Sequence, residues 1–334
     1  MSTISIPVEG PDQVGEARRE GASLAIALGF DEEHTGRVAI VVTECASNLW
    51  KHGGGGEVLI STAENDGRPC IEVIALDRGP GMADVSRCFE DGYSTAGSAG
   101  SGLGALARLS ECTVYSRPGK GTALLSRLFI QGSRKTETSA LLTGGIAVPL
   151  AGEPICGDAF AVRHDAAGML AILADGLGHG PSAAESANRA LEAFRDSRES
   201  APGKILPDIH TALRGGRGGA VSVARLNLAT RKIQFCGVGN VLGMLSGFGA
   251  AKNFVCMPGI VGHNMNAVRE FTYDWPANSV VLIYSDGIGS HWSLDEYEGL
   301  VNQDPSLISA VIYRDRKRGR DDASVLAIRE RRSA

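Results

Sequence analysis

The sequence predicts two α+β domains in tandem, on three observations. The chain has 334 residues, more than one hydrophobic core ordinarily serves and enough for two domains of roughly 100–200 residues each. Helical periodicity followed by strand-like runs fills the first third, whereas short apolar or alternating runs dominate from residue 140 onward. Between them, residues 131–139 (QGSRKTETS) are polar and aperiodic, as a short linker is. The boundaries expected are 1–131 for the first domain, 132–139 for the linker and 140–334 for the second domain.

Residues 11–28 place Val14, Ala17, Ala22, Leu24, Ala25 and Leu28 near one helical face, with Gly29 as the C-cap. Asp31 is a good N-cap for a second helix, whose stripe of Val38, Val41, Val42, Cys45 and Leu49 runs until the glycines at 53–56. Runs 57–62 and 70–76, joined through Asn65-Asp66-Gly67, predict a hairpin. Residues 77–104 are loop-like, 105–112 read as helix, and two strands are expected around the turn at 118–121. In the second domain, strand-like runs occupy 140–150, 158–164, 168–175, 220–228, 232–240, 279–286 and 323–330. Helical stretches near 181–197, 204–213 and 294–311 complete an α+β sandwich.

Composition narrows the function. At 43% hydrophobic and 21% charged, the chain is neither disordered nor a coiled coil. A formal charge of −5 gives no general basic field for nucleic acid, and no apolar run approaches the roughly 18–20 residues that span a bilayer. The first residues, MSTISIPVEGPDQ, lack a basic start and an apolar stretch, so a cytoplasmic protein is expected. Seven cysteines are scattered singly without a Cys-x-x-Cys pair, which argues against a disulfide framework and a zinc site. Glycine is the unusual count, 44 against a typical usage near 7%, and the excess sits in loops.

Three loops in the first domain suit a nucleotide. Glu44 and Asn48 stand four apart on one helical face, where they suit either a water and a hard cation or a plain surface and capping role. After the strand ending at Leu76 comes Asp77-Arg78-Gly79-Pro80-Gly81, an acid able to accept from an exocyclic amine, followed by glycines that let backbone approach closely. Gly100-Ser101-Gly102-Leu103-Gly104 opens a helix, where free N–H groups favour phosphate. Gly121-Thr122 begins a strand after a tight turn.

In that order, Glu44 with Asn48, DRGPG, GSGLG and GKGT resemble the N, G1, G2 and G3 boxes of the GHKL (Bergerat) ATP-binding fold, an α/β sandwich. Within that group TECASNLWKHGGGGEV, RGPGM and EDGYSTAG (90–97) resemble the RsbT switch-kinase family and its anti-sigma-factor relatives, over nearly all of residues 5–130. The resemblance implies ATP with Mg²⁺, Glu44 as general base and Asn48 as the Mg²⁺ ligand. It further implies Asp77 as the adenine contact and Gly79 and Gly81 as its backbone platform. Gly100, Gly102 and Gly104 would cradle the phosphates, Thr122 would be a second adenine-side contact, and residues 82–99 a lid.

The second domain carries four separated acids at strand ends or turns: Asp158 in CGDAF, Asp175 in ILADGLGHG, Asp286 in IYSDGIGSH and Asp321 in RDDAS. One such Asp marks a turn; four tied to apolar strands suggest carboxylates gathered at one edge of a sandwich, where hard cations would relieve their repulsion. GDAF, ADGLGHG, GGAVSVARL, VGNV, SDGIG and DDAS resemble, in order over about 145–330, the SpoIIE and RsbX subgroup of PPM-type Ser/Thr phosphatases, an α/β/β/α sandwich. The resemblance implies two Mn²⁺ or Mg²⁺ ions bridged by Asp175, with the Gly176 carbonyl as a ligand, Asp158 serving one ion and Asp286 and Asp321 the other. Asp322 is the member of the adjacent pair not expected to ligate, and Gly218, Gly219 and Asn240 are expected to be structural. DDAS has Ser where many relatives have Thr, and the basic residue that holds substrate phosphate in eukaryotic members has no counterpart. His179 reads as a bystander or hydrogen-bond partner ahead of an acid, and the basic run 314–320 as a solvated face ahead of a partner contact.

Together the two resemblances imply a partner-switching regulator. Its first domain would phosphorylate a STAS-type antagonist, and its second would remove phosphate from the same or a sibling STAS protein. The alternative is a nucleotide-dependent binding module, acting on a sigma factor or another phosphatase, joined to a catalytic phosphatase.

Overall fold

The computed structural model describes residues 3–85, 87–89, 102–135, 139–247, 249–265 and 268–331. They form two compact units, Thr3–Thr138 and Ser139–Ala334.

The first unit runs β1 (Ile4–Val8), α1 (Pro11–Leu28), α2 (Glu32–His52), β2 (Gly56–Asn65), β3 (Arg68–Leu76), α3 (Gly102–Leu109), β4 (Glu111–Arg117) and β5 (Gly121–Phe129). Its sheet has the order β1-β2-β3-β5-β4, antiparallel between every pair of neighbours. Asp31 caps α2 by accepting from the His34 N–H, and the N–H of Gly29 closes α1 onto the carbonyls of Ala25 and Ile26. The stripe of Val38, Val41, Val42, Cys45 and Leu49 is buried with Ala17 and Ala25 of α1 against Val58, Ile60, Ile71 and Val73 of the sheet.

Two features of this unit differ from the sequence reading. A first strand precedes the helices: Ile4, Ile6 and Val8 pair with Ile60, Val58 and Gly56 on β2. The third helix covers 102–109 rather than 105–112; Ser110 ends it by bonding the Leu106 carbonyl through both N–H and hydroxyl, and Glu111 and Cys112 enter β4.

The second unit continues with β6 (Leu141–Val148), β7 (Asp158–Asp165), β8 (Gly168–Gly176), α4 (Pro181–Asp196), α5 (Pro202–Leu213), β9 (Gly219–Asn227) and β10 (Lys232–Val238). There follow β11 (Leu242–Gly247), β12 (Gly249–Asn253), β13 (Cys256–Met257), β14 (Phe271–Asp274), β15 (Val280–Tyr284), α6 (Pro305–Arg316) and β16 (Ala323–Glu330). One sheet has the order β13-β10-β9-β8-β7 with β14 on β10, the other β12-β11-β15-β16-β6. Strand β8 shows why two layers cover it. Met169, Ala171 and Leu173 face a core shared with Val281, Ile283, Leu326 and Ile328 of the second sheet. Leu170, Ile172 and Ala174 face Ala187, Leu191, Phe194, Ile205 and Ile209 of α4 and α5. Helix α6 covers β6, its Ser309 hydroxyl donating to the Gly144 carbonyl at 2.8 Å, so the layers run helices, sheet, sheet, helix.

The helix expected over 294–311 is instead two 3₁₀ turns at Leu294–Glu296 and Leu300–Asn302, followed by α6. Gly299, at φ 78°, breaks the run, and Asp304 restarts it by capping the Ser306 N–H ahead of Pro305. Strands β11 to β14 are too short or too glycine-rich for a clear sequence signal.

Candidate functional site

In the first unit the end of β3 and the turn into β5 are locked together around Asp77. Its Oδ1 accepts from the Gly79 N–H at 2.8 Å and the Thr122 N–H at 3.1 Å, while its own N–H donates to the Thr122 carbonyl. The Thr122 hydroxyl lies 2.9 Å from that of Ser116, which also accepts from the Met82 N–H at 2.8 Å. Gly81 and Gly121 make this closeness possible. A Cβ on Gly81 would stand 2.0 Å from the Arg117 carbonyl oxygen and one on Gly121 2.1 Å from that of Asp77; both residues are left-handed, at φ 69° and 79°.

Sequence-distant Asp77, Gly79 and Thr122 thus form one hydrogen-bonded platform, with Gly81 packed closely against the Arg117 carbonyl beside it. The C-terminal end of α2 abuts it, since a Cβ on Gly53 would meet the Asp77 Cβ at 2.8 Å. Glu44 and Asn48 stand one turn apart on α2, both half-buried. Gly102 and Gly104 lie in the first turn of α3. Gly100 and the segment 90–97 lie outside the described residues, as does most of 82–99.

In the second unit Asp158 and Asp175 face each other across β7 and β8 as register partners. Asp286 follows β15 and Asp321 precedes β16, two strands paired from Val280–Arg329 to Tyr284–Val325. The carboxylates lie within each other's fields. Burial pushes the Asp175 carboxyl above its ordinary range, and the charges of Asp158, Asp286, Asp321 and Asp322 push it further. Asp158 is raised chiefly by burial, against hydrogen bonds from Ser285 and Ser324. Asp286 is raised by burial and by Asp321, while Asn240 opposes this. Among the described residues no three carboxylate, imidazole or thiol groups close on a single point, so these acids converge without forming a finished cage. The donor set is all oxygen, Asp158 is buried and Asp175 half-buried with both destabilised as anions, and the Gly176 carbonyl is adjacent, which suits hard divalent cations.

Three partners were not expected from the sequence. Asn240, expected to be structural, donates its Nδ2–H to Asp286 Oδ2 at 2.5 Å. The Ser324 hydroxyl, the departure in DDAS, donates to Asp158 Oδ2 at 2.8 Å, a bond the usual Thr would also make. Glu153 Oε1 holds His179 Nδ1 at 2.6 Å, giving that loop histidine a local partner. The signal for the first two was present in VGNV and DDAS, but only the topology shows what they reach. Asp321 and Asp322 divide cleanly: Asp322 is buried and accepts from the Leu150 N–H at 2.7 Å and the Gly157 N–H at 2.8 Å, while Asp321 accepts from the Asp322 N–H. The basic run is also divided. Arg314 is buried and paired with Asp315, Arg316 holds Glu296 and the Tyr297 hydroxyl, and Lys317 reaches the Tyr313 hydroxyl, so only part of the run is a solvated face.

Residues 9–127 match the histidine kinase-like ATPase domain model, and residues 165–331, half of the chain, match the stage II sporulation protein E (SpoIIE) model. The serine/threonine-protein kinase RsbT of Bacillus subtilis (strain 168) is 35% identical over 109 residues, covering 32% of this chain and 82% of that protein. The chain belongs to the RsbT-type ATPases through its first unit and to the SpoIIE family through its second. The phosphoserine phosphatase RsbX of the same organism is 27% identical to the chain over 139 residues, covering 41% of the chain and 69% of RsbX. A chain from a solved structure described as "The bacterial stressosome: a modular system that has been adapted to control secondary messenger signaling" is 26% identical. It covers 57% of this chain and 99% of its own length, with a TM-score of 0.52. The RsbT-like unit is therefore a GHKL-type α/β sandwich, the SpoIIE-family unit a PPM-type phosphatase domain, and the chain a fusion of the two. Among the described residues no helix is long and apolar enough to cross a membrane.

Proposed function

We propose that this chain adds and removes the same kind of phosphoester on STAS-domain proteins, with Mg-ATP at the RsbT-like unit and two Mn²⁺ or Mg²⁺ ions at the SpoIIE-family unit. The observation that carries this reading is the co-occurrence, in one chain, of units similar to a serine/threonine kinase and to a phosphoserine phosphatase. The similar chain described with the bacterial stressosome fits a STAS-type assembly as the partner.

In the first unit Asp77, already oriented through its Oδ1 by the N–H groups of Gly79 and Thr122, receives the adenine amine. Gly79 and Gly81 would supply flat backbone beneath the base, Thr122 a second contact, and Asn48 would hold Mg²⁺. Gly102 and Gly104, at the start of α3, would cradle the phosphates, together with Gly100. Glu44, one turn before Asn48, takes the proton of the acceptor hydroxyl, so positioning and charge stabilisation do most of the work.

In the second unit Asp175, Asp158, Asp286, Asp321 and the Gly176 carbonyl would hold two divalent ions. When bound, these supply an activated water and charge neutralisation for in-line displacement at phosphorus. Ser324 and Ser285 orient Asp158, Asn240 orients Asp286, and Asp322 ties the loops at Leu150 and Gly157 to the start of β16.

Incubation with γ-labelled ATP, Mg²⁺ and a purified STAS protein tests the kinase half. Label on the STAS protein that is lost in Glu44→Ala supports it. Absence of transfer from wild type, with tight nucleotide-dependent complex formation instead, favours the binding-module reading.

A further inference from the structure

Asp175, the last residue but one of β8, stands opposite Ala220 of β9, and Gly176 pairs with Gly219, so the chain entering β9 passes beside the acidic cluster. Arg217 lies two residues ahead of that strand. The loop after Asp175 folds onto it: the Leu177 N–H donates to the Gly218 carbonyl at 3.1 Å, and Arg217 Nη1 stands 3.2 Å from where a Cβ on Gly178 would lie. On its other side the backbone is pinned, with the Arg217 carbonyl 3.0 Å from His263 Nε2 and Gly219 exchanging bonds of 3.0 and 2.9 Å with Val261.

A fixed backbone thus presents a cation on the aspartate loop, and the side chain is exposed. Four other arginines of this unit are committed, Arg163 to the carbonyls of α4 and Glu199, Arg189 to Ala212, Arg225 to Asp165 and Arg231 to Glu330, while Arg318 acts through its charge on Asp286 on the opposite side of the cluster. Among the described residues no hydrogen bond or ion pair takes the guanidinium of Arg217, neither from the four aspartates nor from elsewhere. Two divalent ions would offset the charge of the carboxylates without gripping all the oxygens of a phosphomonoester, and a planar guanidinium with parallel N–H donors matches the geometry of those left over.

We propose that Arg217 captures the phosphate group of the ester cleaved at the SpoIIE-family unit, an inference that rests on the phosphatase reading above. Arg217 is a phosphate-binding residue and takes no part in holding the divalent ions.

The test uses the full chain and its Arg217→Ala and Arg217→Lys variants, with three readouts: steady-state hydrolysis of a phosphoserine peptide in Mn²⁺, titration with inorganic phosphate, and Mn²⁺ binding alone. Arg217→Ala is expected to raise KM and weaken phosphate binding in parallel, by roughly ten- to a hundredfold. Its kcat should change far less, its Mn²⁺ affinity should be unchanged, and Arg217→Lys should recover part of the loss. Phosphate affinity and KM within twofold of wild type in Arg217→Ala would overturn the assignment, as would a KM rise matched by an equal loss of Mn²⁺ affinity. A wild-type protein that binds phosphate through Arg217 but hydrolyses no ester sinks the phosphatase reading and leaves the phosphate site standing.

Discussion

Replacing Asp322 by Ala should unfold the second unit more readily, although Asp322 is the neighbour of the residue proposed to hold metal. Its carboxylate is 2% exposed and accepts from the N–H groups of Leu150 and Gly157, in segments more than 160 residues away. Leaving two buried donors without an acceptor costs about 1–3 kcal/mol each, so about 2–6 kcal/mol in all. One fewer carboxylate relieves repulsion on Asp158 and Asp175, which offsets part of this and leaves about 2–4 kcal/mol. For a unit of this size that lowers the thermal midpoint by about 5–15 °C. Urea unfolding followed by tryptophan fluorescence reports the second unit, where Trp275 and Trp292 are buried; Trp50 of the first unit is 44% exposed. Asp321→Asn, which among the described residues loses only an acceptor for the adjacent Asp322 N–H, should stay within about 1 kcal/mol of wild type. A loss under about 1 kcal/mol in Asp322→Ala would refute the structural division of labour between the two aspartates.

Gly81→Ala would place a methyl carbon 2.0 Å from the Arg117 carbonyl at φ 69°, and strain of about 2 kcal/mol or more should distort the Asp77 platform. ATP titration should show at least about tenfold weaker binding, with phosphatase activity unaffected. Asp77→Asn keeps an oxygen for the Gly79 and Thr122 N–H groups and should fold normally while losing nucleotide affinity, as read by calorimetry. On the acid side, hydrogen bonding to Arg225 holds the Asp165 carboxyl below its ordinary value of 3.8. A depressed carboxylate contributes stability above its unfolded value and loses it as pH falls through the folded one. With Asp165 41% exposed, that contribution is under about 1 kcal/mol. Asp165→Asn should therefore lower stability slightly at pH 7 and flatten the fall below pH 4, measured by urea unfolding across pH.

Local order carried well from the sequence. The Asp31 cap, the α2 stripe and the turn at Asp66 and Gly67, both left-handed at φ 51° and 71°, need only short-range rules, and each is present. Elements whose stability comes from distant pairing were invisible or misplaced. Strand β1 is five residues containing Pro7 and exists because β2 offers an edge. The 294–311 stretch had apolar spacing enough for a helix, but Gly299 and the Asp304–Pro305 start divide it. At the sites, strand-end aspartates announced a cluster because four turn acids on apolar strands are unusual. What each acid touches depends on partners 46 to 172 residues away, as for Asn240 with Asp286 and Asp322 with Leu150, and no local pattern encodes that.

Label on one STAS protein, followed in the presence of γ-labelled ATP, Mg²⁺ and Mn²⁺ with wild type beside Asp175→Asn, tests whether one chain both adds and removes the phosphoester. A chain that does both should show a low steady level with continuous release of labelled phosphate by wild type, and stoichiometric accumulation without release by Asp175→Asn, which should bind ATP normally. Equal release by the two proteins, or label on neither, would contradict it.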